Sequence, residues 1–262
     1  MSPRHQPAPI SVVIPALNAA DRLADCLAAV AQGAVRGLVR EAIVADGGSS
    51  DATVDIATAF GARLAPGAAG RGAQLARGAR AARGRWLLFL HADTVLDAAW
   101  VDEAAAFVAR ETAGGPARSA VFTLAFDSVR AAAAVVAGGA IWRSRLLALP
   151  YGDQGLLVRR DVYDAVGGYR PMPLFEDVDL IDRLKARFGR ASLRVLKARA
   201  VTAADRYERD GYARRVFTNA RCMAMYRLGV PVDRIVEAYA GGRPAVPSVT
   251  AQRRDAAAGG EV

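Results

Sequence analysis

The run Trp86-Leu87-Leu88-Phe89-Leu90, followed at once by His91-Ala92-Asp93-Thr94, constrains this chain more than any other stretch. Five consecutive apolar residues suit a short strand, and they are too uniform for a strand with one wet face. Such a run belongs to a strand covered on both sides, as in a parallel sheet between two helix layers. In open α/β sheets ligands bind outside the carboxyl ends of the strands, so polar groups emerging there are placed for chemistry. A two-residue spacing in extended chain directs His91 and Asp93 to the same side. A carboxylate in that position suits a hard divalent cation shared with phosphate oxygens, because Mg²⁺ takes few protein ligands. An Asp that closes a strand and stabilises a turn is the structural alternative. Asp97 reads as the N-cap of the helix that follows.

The flanking sequence repeats the pattern. Ile10 to Ile14 reads as a first strand ended by Pro15, and Asn18 with Asp21 as a capping-box-like helix start. Leu23, Cys26, Leu27 and Val30 mark the buried stripe of that helix, which Gly33 stops. Ala42 to Ala45 is a second strand delivering Asp46-Gly47-Gly48-Ser49-Ser50-Asp51. A helix over about 52–60, a brief strand at Arg63-Leu64 and a helix over 73–83 lead into the central run. This alternation predicts an α/β, Rossmann-like, doubly wound and mostly parallel sheet with right-handed crossovers. The second half differs: Ser119 to Phe126 reads as a strand at the sheet edge, 130–147 as a helix weakened by Gly138-Gly139, and Leu156 to Val158 as a short strand. Glu176 opens a helix, 193–196 is a last strand, and one long helix runs from Tyr207 to Leu228. Residues 1–9 and 241–262 read as loose tails around a domain at 10–240, divided into halves at 10–110 and 111–240.

Several groups in this frame can carry chemistry. Asp46 ends a strand beside the first one, and the following glycines allow close approach of a ligand to backbone. Its carboxylate could accept a hydrogen bond from a base or ribose, or simply form an Asx turn. Gly70-Arg71-Gly72 combines flexible backbone, a helix start and a guanidinium, the ingredients of a phosphate site. Glu176-Asp177 is the leading general-base candidate, placed after the rigid Pro171-x-Pro173 segment; helix capping accounts for the same pair. Arg206-Tyr207-Glu208-Arg209 offers cations for a departing diphosphate, or a solvated helix start.

Charge bears on the partner. Basic residues exceed acidic ones by 9, and all but Lys185 and Lys197 of the 35 basic residues are arginine. That balance favours polyanionic partners such as nucleotide or lipid phosphates. The arginines are dispersed and aromatics are 7% of the chain, so a nucleic-acid-binding module is disfavoured. Two distant cysteines without metal spacing fit a reducing cytoplasm. No stretch reaches transmembrane length, and the longest uncharged run, Ala131 to Trp142, fits a buried core helix or an interfacial segment.

Taken together, Ile14-Pro15-Ala16-Leu17-Asn18, Asp46-Gly-Gly-Ser-Ser-Asp51, Leu90-His91-Ala92-Asp93 and Glu176-Asp177 resemble glycosyltransferase family 2. Gly70-Arg71-Gly72-Ala73-Gln74, Tyr151-Gly152-Asp153-Gln154-Gly155 and Arg206-Tyr207-Glu208-Arg209 further resemble its radical-SAM/selenodomain-associated transferase 2 subgroup, over roughly 10–240. The resemblance implies a GT-A fold, a nucleotide-diphosphate sugar donor (a UDP-sugar foremost), a divalent Mg or Mn ion and inversion at the anomeric carbon. It places Pro15, Leu17, Asn18 and Asp46 on the base and ribose, with Gly48, Arg71 and Ala92 on the donor side. Asp93, with His91, would hold the metal. Asp177 would be the base, with Glu176 beside it, Gln154 lining the sugar and acceptor region, and Arg206 and Arg209 assisting the leaving diphosphate. Two departures stand out: His91 replaces the first acid of the usual Asp-x-Asp, and Ala19 replaces an acid common after Asn18. A nucleotidyltransferase is the competing enzyme class, although it would need a glycine-rich loop after the first strand. A non-catalytic nucleotide-sugar or polyanion-binding module is the other. The acceptor is an unspecified hydroxyl, compatible with a lipid-linked molecule at the inner face of the cytoplasmic membrane; the oligomeric state is open.

Overall fold

The computed structural model describes residues 8–115 and 118–240, and the two tails predicted from composition lie almost wholly outside them. The first half alternates as expected. Strand β1 (Ile10–Ala16) is followed by α1 (Ala20–Val35), β2 (Val39–Asp46), α2 (Thr53–Ala59), β3 (Arg63–Leu64), α3 (Arg71–Ala81) and β4 (Trp86–Phe89). Then come β5 (Thr94–Leu96), α4 (Trp100–Thr112), β6 (Ser119–Phe126), α5 (Ala131–Leu147), β7 (Leu156–Arg159), α6 (Arg160–Ala165) and α7 (Glu176–Phe188). The chain continues through β8 (Leu193–Thr202), α8 (Asp205–Asp210), α9 (Tyr212–Arg227) and α10 (Val232–Ala240).

All eight strands form one sheet in the order β3-β2-β1-β4-β7-β6-β8-β5. The β3-β2-β1-β4 block is parallel, which is the doubly wound half. Beyond it β7 runs antiparallel to both β4 and β6, β6 runs parallel to β8, and β5 pairs antiparallel with β8. The central run behaves as its composition requires. Trp86 and Leu88 pack into one core layer with Leu23, Cys26, Trp100 and Phe107, while Leu87 and Phe89 enter the opposite layer with Leu75, Leu180 and Leu184. Alternate side chains of one strand thus feed two cores, and each large buried side chain contributes roughly 1.5–3 kcal/mol. The Trp86 ring meets Phe107 edge-on at 5.5 Å.

Several local expectations change. The strand at Ser119–Phe126 is interior, paired with β7 on one side and β8 on the other, and β8 is much longer than predicted, extending to Thr202. That length also recruits Thr94–Leu96 as a strand the sequence did not announce. Asp97 is not the N-cap of α4: the helix begins at Trp100, and Asp97 instead accepts from the Ala99 amide. Asn18 and Asp21 form no capping box. The amides of Ala19 and Ala20 at the start of α1 donate instead to Thr53 Oγ1 (2.8 Å) and Asp51 Oδ2 (3.0 Å), so the loop after β2 caps the first helix. The single helix predicted from Tyr207 to Leu228 is two, α8 and α9, broken at Gly211 (φ +85°), where a left-handed backbone suits only glycine comfortably.

Candidate active site

The carboxyl ends of β1 and β4, the start of α3, the turn before β7, the start of α7 and helices α8 to α10 enclose a cavity of about 740 Å³. Of the residues singled out in the sequence, Pro15, Leu17, Asn18, Arg71, His91, Ala92, Asp93, Glu176, Asp177, Arg206 and Arg209 line it. Asp93 and Asp177, 84 positions apart in the chain, therefore share one space. Gly48 and Gln154 do not line it, and neither does Asp46. Asp46 sits in register with Ala16 at the same sheet rim, but its carboxylate faces its own loop. It accepts from the Gly48 amide at 2.9 Å and from Ser49 Oγ at 2.5 Å, the Asx-turn arrangement. Gln154 is fully buried beneath the floor. Its Oε1 accepts from Ser144 Oγ (2.7 Å), and its Nε2 donates to the Phe122 carbonyl (3.0 Å).

The Glu176-Asp177 pair is built by α7. Phe175, just before the helix, adopts a left-handed conformation (φ +65°) and stacks its ring against Tyr226 at 4.7 Å. A bulky residue held there stores strain, of the kind that collects at functional sites. The strained turn points the first two residues of α7 at the cavity. Glu176 is buried and paired with Arg71 Nε at 2.6 Å. Asp177 Oδ2 accepts from the Gly152 amide at 2.6 Å, and its Oδ1 from the Val178 amide at 2.7 Å. Burial raises the Asp177 pKa above the ordinary carboxylate range and repulsion from Glu176 adds to this; Arg71 and the two amides partly oppose them. The result is a carboxylate of increased basicity, fixed in direction.

Gly152 also holds the opposite wall. A methyl group on it would lie 2.8 Å from His91 Nε2 and 3.3 Å from Asp177 Oδ2, so glycine is what lets His91 and Asp177 pack on one backbone segment. His91 stays neutral: burial lowers its pKa well below the usual value, with Arg71 and Arg206 adding to the effect. His91 and Asp93 reach the cavity from a turn, closed by the Thr94 amide on the His91 carbonyl at 3.2 Å, rather than from extended strand. Asp93 is exposed to the cavity. Helix α3 begins at Arg71, two residues earlier than predicted, which puts its positive end at the cavity wall. Burial acts to lower the Arg71 pKa, but Glu176 and Asp177 outweigh it and the guanidinium is held charged. Gln74 in the next turn anchors α3, its Nε2 donating to the carbonyls of Ala16 and Ala45 at 2.8 Å each.

The far wall is basic. Arg22 bridges Asp127 (2.9 Å) and Asp205 (3.0 Å), tying α1 to α8 and so placing Arg206 and Arg209. Arg209 shares its charge with Asp210 at 2.8 Å. Arg215 of α9 donates to Tyr239 Oη at 2.6 Å, and Tyr239 brings α10 to the cavity edge. Sequence reasoning missed Asp153, which the structure makes conspicuous. It lines the cavity with Oδ1 buried and unpartnered among the described residues, and burial raises its pKa to about 6. Tyr151, stacked under the Arg143 guanidinium at 3.5 Å, lines the same wall. Asp153 and Tyr151 lie in the Tyr151–Gly155 motif quoted above, but nothing in the string of letters marks a carboxylate as unpartnered.

No three His, Cys, Asp or Glu side chains cluster as a metal cage among the described residues. An exposed carboxylate such as Asp93, at a cavity with arginines on the far wall, fits the other kind of site, in which Mg²⁺ or Mn²⁺ is held by one or two carboxylates together with substrate phosphate and water.

Residues 11–133 match the family model described as Glycosyl transferase family 2. A search of curated proteins gave no match. Among solved structures, glucosyl-3-phosphoglycerate synthase from Mycobacterium tuberculosis in complex with Mn²⁺, UDP and glucosyl-3-phosphoglycerate superposes with a TM-score of 0.58 and 22% identity, covering 86% of this chain and 81% of that one. The complex of that enzyme with Mn²⁺ and UDP-glucose gives 0.59 and 24%, covering 86% and 80%. A structure described as a mycobacterial protein gives 0.57 and 23%, covering 86% and 76%. At these identities the likeness is one of fold. The chain has the GT-A glycosyltransferase fold, and its residues 11–133 carry the sequence pattern of Glycosyl transferase family 2.

Proposed function

We propose that the chain is an inverting family 2 glycosyltransferase of the radical-SAM/selenodomain-associated transferase 2 subgroup. It moves a hexose from a nucleotide-diphosphate sugar, a UDP-sugar foremost, to an acceptor hydroxyl, with Asp177 as general base. The observation that carries this reading is the shared cavity of Asp93 and Asp177, in which the second carboxylate is made more basic by burial and is aimed by the Gly152 amide.

The base and ribose would lie along Pro15, Leu17 and Asn18, where the half-exposed Leu17 side chain offers an apolar surface to a planar ring. Asp46 and Gly48 would act here only by shaping the neighbouring loop. Arg71 and the start of α3 would face the diphosphate together with Arg206 and Arg209, which neutralise charge as the nucleoside diphosphate leaves. Asp93 would hold the divalent ion, with His91 as a neutral neighbour able to ligate it; bound there, the ion supplies Lewis-acid stabilisation of the same diphosphate. Asp177 removes the proton from the acceptor oxygen as that oxygen attacks the anomeric carbon from the face opposite the leaving group, which inverts the configuration. Asp153, unpartnered on the acceptor side, would accept a hydrogen bond from a sugar or acceptor hydroxyl. The buried free thiols Cys26 and Cys222 suit a cytoplasmic enzyme. The structural neighbours were solved with phosphoglycerate or glycerol 3-phosphate as well as UDP-glucose; a phosphorylated or lipid-linked acceptor fits the same basic wall.

The test is Asp177→Asn. Donor affinity is expected to hold while transfer falls by roughly 10²–10⁴-fold, the usual worth of a positioned base. Retained turnover would remove Asp177 from that role.

A further inference from the structure

We propose that the outer face of α5 docks on an anionic phospholipid bilayer. Over Ala131–Trp142 the helix is apolar all round, its charges confined to Arg143 and Arg145 near its end, yet only Ala133, Ala137, Ala140 and Ser144 of it are buried. The side turned away from them carries Val135 (74% exposed), Trp142 (62%) and Leu146 (52%), two and three turns apart on one stripe. From Ala131 to Trp142 no residue is charged, and Gly138 and Gly139 on the same side have open space around them. A water-facing helix ordinarily keeps its charged residues on that side; one with none over its first three turns, and with an exposed indole, presents the surface of an interfacial helix.

Charge selects the occupant. At the C-terminal end of the stripe, Arg145, Arg190 and Arg194 surround a groove of about 250 Å³ that also includes Ser144 and has no acidic lining residue. At the other end the nearby acids are engaged, Asp127 with Arg22 and Glu208 with Arg130. An apolar stripe that ends in unopposed guanidinium groups matches the acyl boundary and phosphate layer of an anionic membrane. A second copy of a chain with formal net charge +9 would bring like charges together at that rim. No helix among the described residues is long and apolar enough to cross a membrane, so the contact is peripheral.

The three tryptophans make the test selective. Trp86 and Trp100 are buried, and Trp142 is exposed. The full chain is mixed with vesicles of phosphatidylglycerol and phosphatidylcholine in equal parts, and tryptophan emission, acrylamide quenching and co-sedimentation are followed. Emission is expected to move to the blue and quenching to fall with these vesicles, and neither to change with pure phosphatidylcholine. Arg145→Ser with Arg194→Ser should weaken binding roughly thirtyfold, from the usual worth of a basic residue near an anionic surface. Val135→Ser with Leu146→Ser should abolish the shift while leaving the far-UV circular dichroism and Trp142 itself in place. No response to anionic vesicles, equal binding to both vesicle types, or a blue shift that grows with protein concentration without lipid would each overturn the proposal; the last would assign the face to self-association. None of these readouts involves turnover, so failure here is separable from failure of the transferase reading.

Discussion

Asp153→Asn should stabilise this protein, and by an amount that depends on pH. Desolvation of the half-buried Asp153 carboxylate raises its pKa from 3.8 to about 6, a displacement corresponding to at most about 3 kcal/mol at full ionisation. A group whose folded pKa is raised binds more protons folded than unfolded. Its favourable contribution is complete below the unfolded value and is lost as pH rises through the folded one, between about 4 and 6. Asparagine cannot ionise and escapes that loss. Urea denaturation of both proteins from pH 4 to pH 8, followed by circular dichroism, should therefore show near-equal stability at the acid end. The variant's advantage should then grow to as much as about 3 kcal/mol above pH 7. Transfer activity should fall in the same variant, because Asp153 lines the cavity that holds Asp93 and Asp177. A stability difference that does not vary with pH, or a variant less stable than the parent at pH 8, would refute the reasoning.

Two further substitutions probe the pair at the head of α7. Gly152→Ala would drive a methyl group against His91 and Asp177; kcat should fall roughly tenfold or more, since misplacement of a reacting group by an ångström costs rate steeply, with the thermal midpoint nearly unchanged. Arg71→Met removes the cation that restrains the Asp177 pKa, so the acid limb of the kcat profile should move to higher pH. It also leaves buried Glu176 unpaired. Because Arg71 is itself 41% exposed, the stability cost should be only about 1–2 kcal/mol by chemical denaturation.

Much of the first half was legible because it depends on local pattern. The Trp86–Leu90 run reads as a strand with two covered faces, and the alternation around it points to a parallel block. What escaped is set by distant partners. Thr94–Leu96 is a strand only because β8 reaches Thr202, and Ser119–Phe126 is interior because β7 and β8 take its two edges. Gln154 read as a ligand-facing amide, but Ser144 and Phe122 take both ends of it. Asp46 and Asp93 look alike as acids at strand ends. One is consumed by its own loop and the other faces the cavity, a difference made by Ser49 and by the turn after His91. Asp153 is the reverse case, an acid without emphasis in the sequence that folding leaves buried and unpartnered.

The central claim is that this cavity turns over a sugar nucleotide. The most direct measurement is nucleoside diphosphate release from a panel of UDP-, GDP- and other nucleotide-sugars with Mn²⁺, by the parent protein and by Asp93→Ala. Mn²⁺-dependent release from at least one donor, lost in the variant, is the predicted result. Release from no donor, or release unchanged when Asp93 is removed, would contradict it.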